Sequence, residues 1–456
     1  NGKPGIHHVV ARAYKDLVCR WKSMEGFLVE RKGGWDTHGL PVEIEVKKRL
    51  DLMSNEAIEN FGMQAFNDAC RESVWTYESA WREMTERMAY WVDLDNPYVT
   101  LHNDYVESCW WALKQMFDKD LLYRGHKVLP YCPQTGTSYS SHEVALGYKE
   151  VEEPSVYVKF KLVNDSASIL AWTTTPWTIP SNRAIAFNPK ISYGLYHVDE
   201  TSEESWTAKG DYYIIADNLA SETLEKSRVT KHTRVKDVLS SELKDCVCQH
   251  PFSELDSFWS YDVPVIDGDH VTDDAGTGFV HTAPSHGADD YECFLKRNWL
   301  DRMTHNVGEE SEFLAHVPFF AGLTVFDRKG KEGKANTEVI NKLVESGNII
   351  ARGRLTHSYP HSWRSKAPIV FRNTPQWFAA IDKKVDDTFD EYGDTIRQRA
   401  LKSIDKLVQW TPKTGRNRLY SMIEARPDWV LSRQRAWGVP LTCFTKKAPK
   451  RLIVIF

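Results

Sequence analysis

A carboxylate and an imidazole lie two residues apart in a glycine-rich loop near the start of this 456-residue chain. The loop reads Gly34-Trp35-Asp36-Thr37-His38-Gly39-Leu40-Pro41-Val42-Glu43. Alternating apolar residues at 27–30 predict a strand before it, which the glycine pair at 33–34 ends. A loop at the end of a parallel strand opens onto a ligand crevice, so Asp36 and His38 are candidate binding residues. The alternative is a plain turn in which the aspartate caps the next helix.

A second candidate is the sequence Gly5-Ile6-His7-His8, which enters a helix predicted over residues 9–25, with Gly26 as its C′ residue. Imidazoles at a helix N-terminus can contact phosphate, helped by free backbone N–H groups and the helix dipole. A histidine pair alone is weak support for such a site.

Two further segments stand out in the middle of the chain. Residues 172–183 read Trp-Thr-Thr-Thr-Pro-Trp-Thr-Ile-Pro-Ser-Asn-Arg, and residues 276–291 read Gly-Thr-Gly-Phe-Val-His-Thr-Ala-Pro-Ser-His-Gly-Ala-Asp-Asp-Tyr. Threonines favour strands, but a threonine run broken by two prolines is hard to explain as sheet alone.

The loop at 34–43 resembles the amino-acid-binding loop of isoleucyl-tRNA synthetases, which are class I aminoacyl-tRNA synthetases, and further similarity extends over nearly the whole chain. The resemblance implies that Asp36 holds the α-ammonium of isoleucine and that His38 shapes the pocket floor. It implies that Gln434 and Trp437, in Ser432-Arg433-Gln434-Arg435-Ala436-Trp437-Gly438, complete that pocket. Glu43 and Glu45 are expected to face solvent or to cap the following helix.

The histidines at 7 and 8 depart from the family pattern. The family has His-x-Gly-His at its ATP site, and His8 matches the second histidine, whereas Gly5 and His7 replace the first histidine and the glycine. The resemblance implies a catalytic contact of His8 with ATP phosphates and leaves the role of His7 open.

The threonine-rich and acidic segments resemble the editing domain of the isoleucyl, valyl and leucyl enzymes. The resemblance implies that Asp290 binds the α-ammonium of a misattached valine and that His281 excludes isoleucine, although His281 could also be a hydrogen-bonded core residue. It also implies roles in binding the terminal adenosine and orienting water for Thr173, Thr174, Thr175 and Asn182. Such a second site is needed because one methylene discriminates by only about 1–3 kcal/mol, for which isoleucine against valine is the standard example.

Two family features are missing from the sequence. Many relatives carry two Cys-x-x-Cys pairs that bind zinc, whereas the corresponding positions here are Cys132, Thr135, Ser362 and Ser365, so no zinc is expected there. The Lys-Met-Ser-Lys-Ser loop and the anticodon-binding domain are also not found, and we expect the chain to be a fragment.

Composition agrees with a globular protein. The chain is 41% apolar and 27% charged with a net charge of −5, so RNA contacts must use local patches rather than a global basic field. The eight cysteines form no disulfide framework, and no apolar run approaches a membrane span. We therefore predict a cytoplasmic protein that does not bind membranes. We also expect a monomer, although composition does not show the oligomeric state.

The resemblance implies an α/β fold, a Rossmann-like class I catalytic domain (incomplete) with an inserted editing domain, and the β-rich texture of the middle of the chain predicts that the insert is β-barrel-like. The predicted limits are 1–153 for the first catalytic half, 154–345 for the editing domain and 346–456 for the second half. Residues 55–120 read as mostly helical with an aromatic stripe expected in the core, and residues 128–150 as a loop.

Three functional hypotheses remain open. The first is an isoleucine–tRNA ligase that uses ATP, Mg²⁺, isoleucine and tRNA(Ile) and edits valyl-tRNA(Ile). The second is a chain that retains only aminoacyl-tRNA deacylase activity, or a valyl- or leucyl-type relative. The third is a non-catalytic relative that only binds tRNA or aminoacyl-adenylate.

Overall fold

The structure, a computed structural model, describes residues 2–52, 55–139, 141–327, 329–363, 365–387, 391–433 and 435–443. The chain forms two compact units: residues 1–125 with 376–456, and residues 126–375. These limits differ from the proposed functional boundaries at 154 and 345, which stay a prediction.

The elements follow one another in chain order. The first are α1 (Ile6–Met24), β1 (Lys32–Trp35), α2 (Leu40–Leu50), α3 (Asn55–Phe61), α4 (Met63–Ser73), α5 (Glu78–Arg87), β2 (Asp93–Val99), α6 (Asn103–Asp118) and β3 (Leu122–Cys132). Next come β4 (Thr137–Ser138), α7 (Ser141–Val144), β5 (Tyr148–Lys161), β6 (Ala167–Thr173), β7 (Ala184–Phe187), β8 (Tyr193–Thr201), β9 (Tyr212–Ala216), α8 (Asp217–Lys226) and β10 (Val229–Val238). The rest are α9 (Ser240–Lys244), β11 (Val247–Gln249), β12 (Asp262–Asp267), β13 (Phe279–Thr282), α10 (Ala288–Lys296), α11 (Ala335–Glu345), β14 (Ile349–Pro360), β15 (Val370–Ala379), α12 (Ile396–Lys406), α13 (Thr414–Glu424) and β16 (Trp429–Val430).

The predicted first helix is confirmed, with a start three residues earlier than expected and Gly26 at φ +90° beyond its C-terminus. The predicted strand at 27–30 is wrong. The strand is β1, which contains the glycine pair and runs parallel to β2, with Gly34 opposite Tyr98. A Cβ on Gly34 would lie 2.3 Å from the Tyr98 ring, so the glycine lets the two strands approach rather than ending a strand.

The aromatic stripe expected in the core of residues 55–120 is not buried. Trp75, Trp91, Trp110 and Trp111 are 40%, 58%, 37% and 67% exposed. The segment is divided into α3, α4, α5, β2 and α6, so a single helical periodicity does not run through its tryptophans. The predicted loop at 128–150 is also wrong, because the end of β3, β4, α7 and the start of β5 occupy it.

The second unit is built on two sheets. A six-stranded sheet has the order β10-β8-β9-β6-β5-β14, and a four-stranded sheet has the order β11-β12-β7-β13. Buried residues of both sheets, including Val158, Phe187 and Phe279, share one apolar core. The β-rich texture is thus confirmed, and two sheets around one shared core agree in part with the predicted barrel-like domain.

The long antiparallel pair β5–β14 joins the beginning and the end of this β-rich region. Its register runs from Tyr148 opposite Pro360 to Val158 opposite Ile349. Within the described residues, none of the helices has the length and apolarity needed to cross a membrane.

Candidate functional site

The loop between β1 and α2 is held by hydrogen bonds to Thr37. Its backbone N–H donates to Thr100 Oγ1 at 2.9 Å, and its carbonyl accepts from Trp437 Nε1 at 2.8 Å. Because Thr37 is buried and fixed on both sides, the neighbouring Asp36 is left exposed at the end of a strand. Proline near the start of α2 and Gly39 at φ +96° then begin the helix.

His38 and Trp437 lie at the loop segment that carries that carboxylate. The two rings are 5.2 Å apart in an edge-on arrangement, and Trp437 is only 5% exposed in the core formed with α2 and α4. Burial lowers the pKa of His38, while the charge of Asp36 acts in the opposite direction. The structure therefore assembles three of the four predicted pocket residues, and Gln434 lies outside the described residues.

The burial of Glu43 contradicts the expectation from the sequence. This residue was expected to face solvent or to cap a helix, but it is 1% exposed and lies 3.5 Å from the guanidinium of Arg435 and 3.3 Å from Lys47 Nζ. The pair Glu43–Arg435 ties the segment that carries Trp437 to α2. Its position on the buried face of α2, one residue after Val42 and three before Val46, was the available sequence signal.

His8 closes the N-terminus of α1. Gly5 N–H donates to His8 Nδ1 at 2.9 Å, while the His8 backbone N–H donates to the Gly5 carbonyl at 3.0 Å. This bond assigns the ring proton of neutral His8 to Nε2. The His8 ring also meets His7 at 3.8 Å and Trp81 at 4.6 Å between centroids, and burial together with the charge of His7 lowers the pKa of His8.

In the second unit the threonine-rich segment leaves β6 and enters a 3-10 helix over Pro176–Ser181. Thr173 Oγ1 accepts from the backbone of Thr175 at 3.1 Å and lies 3.2 Å from the Thr175 hydroxyl. Thr173 and Thr174 line a cleft of about 280 Å³ together with residues 275–276 and 278–280. The two predicted segments therefore meet at one cleft, with β13 forming its other side.

His281 lies beneath the threonine segment. Its Nε2 is 2.9 Å from Thr178 Oγ1 and its Nδ1 is 2.7 Å from Asn182 Nδ2. It is 7% exposed, and burial lowers its pKa to about 3. Both ring nitrogens are thus occupied, as in a hydrogen-bonded core histidine, and its role in excluding isoleucine stays a prediction.

Asp290 lies in the first turn of α10. Its Oδ2 accepts from the Ala283 backbone N–H at 2.8 Å. Burial, with a smaller contribution from the charge of Asp289, raises its pKa to about 7 against the effect of that hydrogen bond. A half-buried carboxylate with one oxygen committed to the backbone is suited to bind a single ammonium group through the other.

Two residues that the sequence analysis did not assign support this region. Thr178 bridges His281 to the backbone of Thr175, and Asn336 accepts from the Trp177 N–H at 3.0 Å and fixes the start of the 3-10 helix. Thr178 belongs to the threonine run, so its type was a signal, whereas Asn336 lies over 150 residues away in sequence and gives none.

The four degenerate zinc positions come together as a hydrogen-bonded cluster. Cys132 Sγ is 3.5 Å from Ser365 Oγ, and the Tyr139 hydroxyl is 2.9 Å from Ser362 Oγ and 3.4 Å from Thr135 Oγ1. In the described part of the chain, groups of three or more potential metal ligands are not found. That observation does not test the cluster itself, so the absence of zinc stays a prediction that metal analysis of the purified protein can check.

Comparison with known proteins places the chain in a family. Residues 1–455 match the family described as tRNA synthetases class I (I, L, M and V), and the chain belongs to it.

Individual relatives are isoleucine–tRNA ligases. The enzyme of Ruegeria pomeroyi is 44% identical over 98% of this chain and 47% of its own length. The enzyme of Clostridium tetani is 41% identical over 97% of this chain and 39% of its own length. The chain therefore spans less than half the length of these relatives. A solved structure titled "The crystal structure of GlLeuRS-CP1" is 19% identical, covers 32% of this chain and 60% of its own, and has a TM-score of 0.26, too low to inform the fold.

Proposed function

We propose that this protein acts as an isoleucine–tRNA ligase that activates isoleucine with ATP, transfers it to tRNA(Ile) and hydrolyses mischarged valyl-tRNA(Ile). The observation that carries the proposal is the exposed carboxylate of Asp36 in the loop that also carries His38. Hydrogen bonds between the Thr37 backbone and the side chains of Thr100 and Trp437 hold this loop in place. The names of the relatives supply the substrate, because an exposed carboxylate near a histidine and a tryptophan supports an amine-binding site without specifying the amine.

In the proposed activation step, Asp36 forms an ion pair with the α-ammonium of isoleucine, while His38 and Trp437 contact its side chain. His8 donates from Nε2 to ATP phosphate, because its Nδ1 is used by the helix cap. The carboxylate oxygen of isoleucine attacks the α-phosphorus of ATP, the bond to pyrophosphate breaks, and isoleucyl-adenylate forms, while Mg²⁺ would neutralise charge on the ATP phosphates. The protein contributes positioning and electrostatic stabilisation of the in-line attack. Gln434 is proposed to complete the isoleucine pocket.

We also propose that the protein is a cytoplasmic monomer.

In the proposed editing step, water attacks the ester carbonyl carbon and the bond to the ribose oxygen breaks, which releases valine and the tRNA hydroxyl. Asp290 holds the α-ammonium of the aminoacyl group. Thr173, Thr174 and Thr175 offer hydroxyls to the terminal adenosine and to water. Asn182 can contribute only its carbonyl oxygen, since both amide protons are used and Oδ1 has no partner among the described residues.

Both activities are tested with one set of variants. Isoleucine-dependent ATP–pyrophosphate exchange should fall at least about 100-fold in Asp36→Ala, since a charged hydrogen-bonded partner of a buried ammonium is lost. Hydrolysis of valyl-tRNA(Ile), faster than that of isoleucyl-tRNA(Ile), should be lost in Asp290→Ala and kept in the exposed neighbour Asp289→Ala.

The outcomes separate the alternatives. Hydrolysis without exchange by a folded protein that includes the Lys-Met-Ser-Lys-Ser loop would contradict the ligase proposal and favour the deacylase. Equal loss of hydrolysis in Asp289→Ala and Asp290→Ala would show that no specific ammonium site exists at Asp290.

A further inference from the structure

An ion pair is buried in the first unit between α2 and the segment that follows β16. Glu43 Oε1 lies 3.5 Å from Arg435 Nη1, and both side chains are almost fully buried. Lys47, one turn further along α2, lies 3.3 Å from the same oxygen. Glu43 Oε2 is buried and has no hydrogen-bond partner among the described residues. The carboxylate is therefore removed from water while one of its oxygens lacks a hydrogen bond.

A pair of this kind is a poor source of stability. Removing two charges from water costs free energy that their attraction recovers only when the geometry is good and the remaining hydrogen bonds are made. The separation of Glu43 from Arg435 and the unbonded Oε2 do not meet these conditions. Buried charges are better known for fixing which residues lie opposite one another. We therefore expect this pair to determine geometry more than stability.

The pair and one hydrogen bond attach the same short segment at two points. Arg435 is attached to Glu43, in the first turn of α2. Trp437 Nε1 donates at 2.8 Å to the carbonyl of Thr37, which precedes His38 in the loop. One attachment would let the segment pivot, whereas two fix its direction as well as its distance from the loop. The indole of Trp437 is thereby held in one orientation.

The apolar core around Trp437 lies next to the pair. Val42 and Val46 flank Glu43 on the buried face of α2. Both valines belong to the buried cluster that contains Trp437 and Cys70. Burial raises the pKa of the Cys70 thiol to about 12, and the negative charge of Glu43 adds to this rise. The carboxylate thus acts inside the core that supports the indole and not at the protein surface.

We propose that Glu43 is a positioning residue for isoleucine: its ion pair with Arg435 fixes the place of Trp437 in the amino-acid pocket. The inference rests on the proposed ligase function, whose pocket it extends. Glu43 is 1% exposed, so it acts through the indole and not by touching the substrate. Its loss should weaken the binding of isoleucine and leave the contact of His8 with ATP unchanged.

The first test is Glu43→Gln, which keeps the size of the side chain and removes its charge. Isoleucine-dependent ATP–pyrophosphate exchange is measured on full-length protein that includes the Lys-Met-Ser-Lys-Ser loop. We expect KM for isoleucine to rise about tenfold or more, and KM for ATP and kcat to change less than about threefold, because only the pocket wall is misplaced. The matched control is Glu45→Gln, at a half-buried position on the same helix, which should keep all three constants within about twofold.

A double variant tests whether the two charges act together. Arg435→Gln alone should raise KM for isoleucine as Glu43→Gln does. The double variant Glu43→Gln/Arg435→Gln leaves no unpaired buried charge from this pair, so its KM should be no higher than that of either single variant. Multiplied effects would mean that the two residues act separately. If Glu43→Gln fails to fold, the double variant provides the same comparison of KM values.

Exchange of indole N–H groups with solvent is a readout that does not require activity. In nitrogen-15 tryptophan-labelled protein, the Trp437 signal is assigned with Trp437→Phe. We expect the Trp437 N–H to exchange about tenfold faster or more in Glu43→Gln than in wild type, because its bond to Thr37 opens more often. Trp259 is the internal folding control: it is fully buried, its Nε1 donates to the Pro180 carbonyl at 3.0 Å, and its exchange should not change.

Two results would overturn the proposal. One is a folded Glu43→Gln protein whose KM for isoleucine equals that of the wild type. The other is an equal rise in KM for isoleucine and for ATP, with exchange equally faster at Trp437 and Trp259, which would show general destabilisation. If the wild type gives no isoleucine-dependent exchange of pyrophosphate, the ligase function fails, and the indole measurement still decides whether Glu43 positions Trp437.

Discussion

The half-buried carboxylate of Asp290 accepts a hydrogen bond from one backbone N–H. Among the described residues it forms no ion pair with a cationic side chain. Its pKa is raised to about 7, chiefly by burial, so much of the population carries a proton near neutral pH. A bound ammonium would favour the ionised form and pull that pKa down. The residue is thus costly to ionise in the free protein and favourable to ionise when an amine binds.

This cost should appear in the stability of the protein. Between an unfolded pKa of about 3.9 and the folded value of about 7, the native state holds a proton that the unfolded chain has released. Stability from this group is therefore present at low pH and lost as pH rises through 7. As pH rises from 5 to 7, we expect the free energy of unfolding of Asp290→Asn to increase by about 2 kcal/mol relative to that of the wild type.

Urea unfolding at the two pH values measures this difference. Asp301→Asn, at an exposed position, is the control and should show no pH-dependent gain. Parallel behaviour of wild type and Asp290→Asn across the range would contradict a raised pKa at this carboxylate.

At the level of single residues, sequence reasoning located side chains but not their partners. Asp36 and Trp437 were both named, and the structure brings them to one loop through a bond to Thr37. The spacing of Glu43 with Val42 and Val46 could have indicated its burial, but its partner Arg435 lies nearly 400 residues further along the chain. Contacts at such separation depend on tertiary packing, which no local pattern encodes.

Among the secondary-structure elements, Gly278 shows how closely β13 and its neighbours pack. It has φ +78°, and a Cβ there would lie 2.2 Å from the Cβ of Ala216 at the end of β9. Gly322 has nearly the same backbone angle, φ +79°, with nothing within 4 Å of the corresponding Cβ. The two glycines separate the cost of the backbone conformation from the cost of crowding.

We expect Gly322→Ala to destabilise the protein by about 1–2 kcal/mol, the cost of a left-handed backbone for an L-residue. Gly278→Ala should cost about 1–3 kcal/mol more, because the added methyl also overpacks the contact with Ala216. Denaturant unfolding of both variants measures the difference. Equal losses would mean that the strands move apart without cost, and the cleft beside Gly278 would then not be rigid.

The predictions of helices and strands were confirmed where the hydrophobic periodicity extended over many consecutive residues. The periodicity of α1 and its terminal glycine were enough to find a 19-residue helix. The strand at 27–30 was predicted from apolar alternation, but Phe27 and Leu28 are 60% and 90% exposed and the strand forms where two glycines permit close pairing with β2. Alternation indicates a strand only when a partner strand is available, and the sequence does not show that partner.

Across the whole molecule, burial lowers the pKa of several described histidines of the second unit, and the shift is large in three of them. The pKa values of His250 and His281 are lowered to about 3 and that of His286 to about 4. The sequence shows sixteen histidines and offers no local reason to choose these three. Their neutrality comes from the assembled core around them.

The sign of their effect is opposite to that of Asp290. Below about pH 6.5 the unfolded chain binds protons that these buried rings cannot, so stability falls as pH drops toward the folded pKa values. We expect each of these histidines to lower the free energy of unfolding by about 2 kcal/mol between pH 7 and pH 5. The opposite effect of Asp290 offsets part of this loss. Unfolding free energies across this range should therefore decrease on acidification, and more steeply in Asp290→Asn. A flat profile would show that the rings are accessible to protons.

The paired strands β5 and β14 have a consequence for how such a chain can be rearranged. Residues opposite each other in an antiparallel ladder lie about 5 Å apart, so the region between Tyr148 and Pro360 leaves the chain and returns to it at almost the same point. A gene segment encoding this region could be inserted, exchanged or replaced by a short turn without separating the residues on either side. Because β5 and β14 pair with each other, the block of more than two hundred residues that they enclose is connected to the rest of the chain in the way that a single surface loop is.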